Sequence, residues 1–128
     1  MKFPYVRYDI FYRPVVPVIF YFKGKQFSYE MLLDTGADIS LAHAELAQQL
    51  SVPIKKGKHI KVSGIAGKGA GYIHRLNVRI AGKMFNNVPI VLSKDIAAHS
   101  FGILGHEGIF NRIELVFRYN KKEFEIKT

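Results

Sequence analysis

The chain places two carboxylates, Asp34 and Asp38, around Thr35-Gly36-Ala37 at the close of the apolar run Met31-Leu32-Leu33. A carboxylate is costly to bury in such a setting unless it is paired or hydrogen-bonded. Two chemistries are compatible with the pattern. A structural aspartate can close a tight turn, with Gly36 as the turn residue. A catalytic one can act as a general acid or base. Asp38 has a plain alternative of its own, capping the loop before the helix-forming stretch that follows.

Other chemistries fail on composition or spacing. The chain has no cysteine, which excludes disulfides, thiolate metal sites and a cysteine nucleophile and fits a reducing compartment. The glycine-rich stretch from Gly64 to Gly71 is not a phosphate loop. Val62 stands where the first glycine of that motif belongs, and Gly69 where its magnesium-binding hydroxyl belongs. No dinucleotide spacing can be drawn through Gly64, Gly67, Gly69 and Gly71. Ala98-His99-Ser100-Phe101-Gly102 departs by one residue from a nucleophile elbow, and the chain is short for the fold that uses one. The histidines at 43, 59, 74, 99 and 106 form no metal-binding pair and read as surface or packing residues. Neither a metal nor a cofactor is expected.

The elements that must position these residues are mostly strands. At 128 residues, 48% hydrophobic and 23% charged, the chain has the composition of one soluble globular domain over residues 1–128. Val15 to Phe22 and Ser28 to Asp34 flank Gly24 and read as a hairpin, with Pro17 on a free edge. Residues 42–50 form the one good helix, closed off by Pro53. Residues 59–65 and 71–80 are strands about a glycine-rich tip, with alternation at Ile73, Leu76, Val78 and Ile80. Val88 to Leu92 reads as a buried strand and Phe101 to Gly105 ends another. A short helical turn at 106–112 and a final hairpin about Asn120 and Lys121 complete a mainly β chain with one or two short helices.

In these residues the chain resembles the retropepsins, the single-domain aspartic proteases of retroviruses and their cellular and bacterial relatives. Leu32-Leu33-Asp34-Thr35-Gly36-Ala37-Asp38 is similar to the family's active-site strand. Ile103-Leu104-Gly105, followed by a helical turn, is similar to its second apolar-apolar-Gly segment. The glycine-rich hairpin stands where the family has its flap, and the likeness runs from about residue 15 to 118. It implies a closed, barrel-like β domain and a two-fold homodimer. One chain holds one Asp-Thr-Gly, so the second aspartate comes from the second chain.

By this resemblance Asp34 and its copy activate a water and protonate the leaving amine. Thr35 hydrogen-bonds across the dimer, and Gly36 lets the backbone approach substrate and partner closely. Ala37 keeps the pocket wall small, and Asp38 contacts the backbone of an extended peptide or protein substrate. Ile65, Ala66, Gly67 and Lys68 would lie at the flap tip, Gly67, Gly69 and Gly71 supplying positive φ and mobility. Ile103, Leu104, Gly105 and His106 support the loop. His106 stands where retroviral enzymes carry arginine. If it pairs with Asp38, dimer stability falls as pH rises and the imidazole loses its proton.

Residues 1–14 hold Phe3, Tyr5, Tyr8, Phe11 and Tyr12, and by the resemblance either Arg7 to Arg13 or the C-terminal Glu123 to Thr128 strand is expected to build the dimer face, with the C-terminal strand favoured and packing on the domain's own core the alternative. No segment is apolar for long enough to cross a membrane, and no signal peptide is apparent, so a cytoplasmic protein is expected. The net charge is +9, and residues 46–94 carry nine Lys or Arg and no acidic residue. Lys68 and this basic surface favour acidic or extended polar substrates. Nucleic acid is an unlikely partner, because Tyr72 is the only aromatic ring of Phe, Tyr or Trp type between 55 and 83. The alternative to an endopeptidase is a protein of the same fold that binds peptide or dimerises without cutting.

Overall fold

Lys23 and Gly24 both have positive φ, 45° and 81°, as a two-residue hairpin turn requires. They join β4 (Val15–Phe22) to β5 (Lys25–Leu33) in an antiparallel pair running from Val15↔Leu32 to Phe22↔Lys25. Ala81 and Gly82, at 51° and 77°, make the same kind of turn between β8 (Gly67–Ile80) and β9 (Lys83–Ser93). The computed structural model describes residues 1–64, 67–97 and 100–128. Ile65 and Ala66 of the expected flap tip, and Ala98 and His99, therefore lie outside the described residues.

The remaining elements of the barrel are β6 (Ser40–His43), β7 (Lys58–Gly64) and β10 (Gly102–Leu104). The sheet runs β4-β5-β10-β6-β9-β8-β7, and β4 also pairs with β8. That extra pairing closes the sheet into a six-stranded barrel, with β7 attached outside on β8. Closure spans Ile19 to Tyr21 on β4. Pro17 lies before it, where a missing N–H breaks no rung of the closing ladder.

Inward-facing side chains fill the barrel. Val16, Val18 and Phe20 on β4 are fully buried, as are Met31 on β5 and Val78 on β8, with Leu76 close to it. Each large side chain contributes roughly 1.5–3 kcal/mol by leaving water. Ile73, expected on this face, is only half-buried. It is out of step with Leu76 by one residue, so Tyr72 and His74 share Leu76's side of the strand.

The helix is shorter than its composition implies. Residues 40–43 are strand, pairing parallel with Ile90 to Ser93, and the helix α1 covers only Glu45–Leu50. Ala42, a good helix former, is completely buried in that ladder. Burial outweighs a propensity worth a few tenths of a kcal/mol. The helix packs through Leu46, Ala47 and Leu50. Tyr29 ties it to β5 by donating its hydroxyl to Glu45 at 3.2 Å. Burial, with the neighbouring Glu45 carboxylate, raises the pKa of that phenol above its ordinary value.

The chain ends correct the expected dimer face. β12 (Glu123–Lys127) lies between β1 (Lys2–Pro4) and β11 (Glu114–Arg118). Both its edges are used within the chain, and Phe124 and Ile126 are buried in the core. Phe3 stacks on Phe124 with ring centroids 5.3 Å apart. The favoured strand thus packs on the domain itself. What remains outside is a separate hairpin, β2 (Val6–Tyr8) and β3 (Phe11–Arg13), which exposes Val6, Tyr8, Ile10, Phe11 and Tyr12.

Candidate active site

β10 is inserted between β5 and β6. It runs parallel to β5 in the register Leu32↔Ile103 and Leu33↔Leu104, and antiparallel to β6 at Ile103↔Leu41. The chain leaving β5 must therefore arch over the end of β10 to reach β6. That arch is Asp34 to Ile39, and Asp34 is its first residue.

Residues 104–107 hold the arch at four points and the start of β6 at a fifth. Asp34 N–H donates to the Leu104 carbonyl at 3.1 Å. His106 N–H donates to Ala37 and Glu107 N–H to Asp38, each carbonyl 3.0 Å away. Gly105 N–H donates to the buried Ser40 hydroxyl at 3.0 Å. The His106 ring reaches the Thr35 carbonyl at 2.6 Å. A carbonyl only accepts, so Nε2 carries the proton there. Gly105 is glycine for a steric reason. A Cβ would lie 2.7 Å from the Ile39 carbonyl carbon and 2.8 Å from the Ala37 oxygen, both fixed backbone.

The arch also turns on itself. Gly36 N–H donates to Asp34 Oδ1 at 2.9 Å, and Ala37 N–H to the Asp34 carbonyl at 3.1 Å. Asp34 and Ala37 are half-buried, while Thr35, Gly36 and Asp38 are exposed. Among the described residues, a Cβ on Gly36 would meet only Asp34 Oδ1, at 3.3 Å.

Two expectations for this loop change. The His106 ring is bonded to Thr35, not to Asp38, so the proposed ion pair and its pH dependence lose their basis. Nor does Asp38 cap the helix, whose N-cap is Ala44 with no side-chain bond. Asp38 supplies a backbone carbonyl to Glu107 instead.

The expected flap is a two-stranded hairpin at its outer end. Lys61↔Ala70, Val62↔Gly69, Ser63↔Lys68 and Gly64↔Gly67 pair β7 with β8, whereas β8 joins β9 only from Tyr72↔Leu92 inward. The glycines here need correction too. Neither Gly69 nor Gly71 is among the positive-φ glycines. They are small because neighbours crowd them: a Cβ would come 2.9 Å from Asp95 Cβ at position 69, and 2.8 Å from the Leu92 carbonyl oxygen at position 71. No hydrogen bond among the described residues joins Gly67 or Lys68 to the Asp34 arch. The structure brings Asp34 to Asp38 together with Ile103 to His106, and leaves the hairpin end apart from them.

Beside the arch, Tyr8, Arg13, Leu32, Ser100, Phe101 and Ile103 line a recess of about 250 Å³. Among the described residues no group of three or more His, Asp or Glu could hold a metal ion.

Comparison with known proteins settles the family. A model of the aspartyl protease family matches residues 18–107, a span containing both the arch and the segment that holds it. The chain belongs to that family. The fold of this aspartyl protease is retropepsin-like. A retropepsin-like aspartic protease from Rickettsia conorii matches with a TM-score of 0.69 at 19% identity, covering 97% of each chain. The EIAV protease, solved with the inhibitor HBY-793, matches with a TM-score of 0.56 at 20% identity, over 78% of this chain and 88% of that one. No curated protein sequence matches significantly. No helix among the described residues is long and apolar enough to cross a membrane.

Sequence reasoning missed Ser40, Ser93 and Asp95, whose side chains hold backbone in place. Ser40 had a signal, a hydroxyl inside the apolar run Ile39 to Ala42. Ser93 and Asp95 had none, because their partner, Ala70, is reached only through the fold.

Proposed function

We propose that this aspartyl protease family member is an endopeptidase, one domain over residues 1–128, that works as a homodimer. The observation that carries the reading is a half-built site. The Asp34 arch is held from within by residues 104–107, yet Thr35 and Gly36 are exposed. One chain supplies one such aspartate, and a second copy completes the pair.

In that dimer two carboxylates a few ångströms apart hold one proton between them. The ionised Asp34 takes a proton from water as the water oxygen bonds to the peptide carbonyl carbon. The protonated one holds the carbonyl oxygen by a hydrogen bond, and the C–N bond then breaks as the nitrogen receives the proton that the first carboxylate took from the water. Thr35 and Gly36 lie against their copies. Ala37 and Asp38 line the cleft for an extended peptide backbone, with Gly67 and Lys68 of the hairpin on its other side. Lys68 favours acidic or polar peptides, and the lack of cysteine suits the cytoplasm.

The exposed hairpin supports this assembly. Pro14, just after it, accepts the Leu33 N–H at 2.9 Å, which roots the hairpin one residue from Asp34. Ile10 at its tip is 73% exposed. A cluster of exposed apolar side chains of this kind marks an interaction surface.

The test is hydrolysis of an unfolded protein between pH 3 and 8, with the oligomeric state measured by sedimentation. Wild type is expected to cleave and to sediment as a dimer. Asp34→Asn is expected to remain dimeric with activity lower by roughly a hundredfold or more. A dimeric wild type that cleaves at no pH would overturn the endopeptidase and leave the peptide-binding module.

A further inference from the structure

Ala70 is held on both its backbone polar groups by side chains at and just beyond the end of β9. Its N–H donates to Asp95 Oδ2 at 2.8 Å. Its carbonyl accepts the Ser93 hydroxyl at 2.5 Å. Ser93 is 3% exposed, and its oxygen also accepts the Asp95 N–H at 3.0 Å, so the two clamping residues hold each other.

The location gives the clamp its meaning. The β8–β9 ladder stops at Tyr72↔Leu92. Beyond it the hairpin of β7 and β8 pairs only with itself, through Lys61↔Ala70 and the three rungs outside it. Ala70 spends its polar groups on the 93–95 segment, where the β9 ladder would have continued. Two side chains therefore replace the missing rung at the base of the projecting hairpin.

The glycines on either side fit the same purpose independently. A Cβ at Gly69 would strike Asp95 Cβ, and a Cβ at Gly71 would lie 2.7 Å from Val91 Cγ1. Gly-Ala-Gly is thus the segment that can lie close enough to Ser93 and Asp95 to be gripped. Ala70, Ser93 and Asp95 also line a cavity of about 410 Å³ with Ala44, Ile54 and His59.

We infer that Asp95, with Ser93, sets the angle at which the hairpin leaves the barrel and so positions the flap over the cleft. Asp95 is a positioning residue: it touches the flap backbone and not the reacting atoms. The inference rests on the hairpin serving as a flap, as in the proposed function.

Amide exchange and kinetics together test it. In Asp95→Ala, the Ala70 amide is expected to exchange about tenfold faster or more, while the Asp34 amide, bonded to Leu104, keeps its rate. Asp95→Asn retains an acceptor oxygen and is expected to restore most of the protection. For a peptide substrate, KM is expected to rise about threefold or more in Asp95→Ala with kcat changed less than about twofold, and to recover in Asp95→Asn. A general loss of folded enzyme would instead lower kcat at unchanged KM. Unchanged Ala70 exchange in Asp95→Ala, or equal acceleration at Asp34, overturns the inference. Exchange is read without substrate, so an inactive wild type would count against the endopeptidase and leave the clamp to be decided on its own.

Discussion

Ser40 and Ser93 are the two polar side chains buried among the described residues, 0% and 3% exposed, and each fastens a different piece of backbone. Ser40 accepts a hydrogen bond from Gly105, within a seam where strand pairing already exists on both sides of β10. Ser93 grips Ala70 where the β8–β9 ladder has ended. The first adds a bolt to a joint that is already closed. The second, with Asp95, stands in for a rung that β9 no longer supplies. The arch carrying Asp34 is therefore a floor held by strand pairing and side chain together, whereas the hairpin base is held on its β9 side by two side chains.

That contrast can be attacked first at Gly105. The Gly105→Ala methyl group would press on the backbone of Ala37 and Ile39, which cannot rotate away. We expect a loss of roughly 3 kcal/mol in urea unfolding, together with loss of activity, since the Asp34 arch must move. Stability kept near wild type would show that the floor is softer than described.

Ser40→Ala should be milder. It strips the buried Gly105 N–H of its acceptor, at a cost of roughly 1–3 kcal/mol by the same measurement. If the loss is negligible, the surrounding pairing suffices and the serine is redundant.

The smallest effect belongs to His106→Ala, about 1 kcal/mol for one lost hydrogen bond, with kcat lower by roughly tenfold as Thr35 loosens. An unchanged kcat in this variant would show that the ring does not brace the loop. The Glu125 hydrogen bond to Arg118, at 2.9 Å, holds that carboxyl's pKa below the ordinary 4.5. A depressed carboxyl stabilises the fold above that ordinary value, and its contribution is lost only as pH falls through the lower, folded value.

Much of the site's plan was legible from residue order. Asp34-Thr35-Gly36 and Ile103-Leu104-Gly105 were separated in sequence yet recognisable as partners, and the hairpins about Gly24 and Asn120 carried local turn signals. Partner choice was not legible. His106 has an acidic neighbour in the expected pattern but a carbonyl within reach, and only the arch's path decides between them. Gly69 and Gly71 announce freedom in a sequence, whereas the fold uses them for close approach. Residues 42–44 read as helix because propensity is local, while the pull of β9 on Ala42 comes from the chain nearly fifty residues ahead.

The insertion of β10 between β5 and β6 has a consequence for synthesis. Asp34 leaves the ribosome about seventy residues before Leu104, the carbonyl that receives its N–H. Closing a loop of that length is slow compared with forming the β4–β5 hairpin. A growing or interrupted chain therefore carries the aspartate without the strand that shapes it. The arch takes its final shape late, once β10 has been made and has docked between β5 and β6.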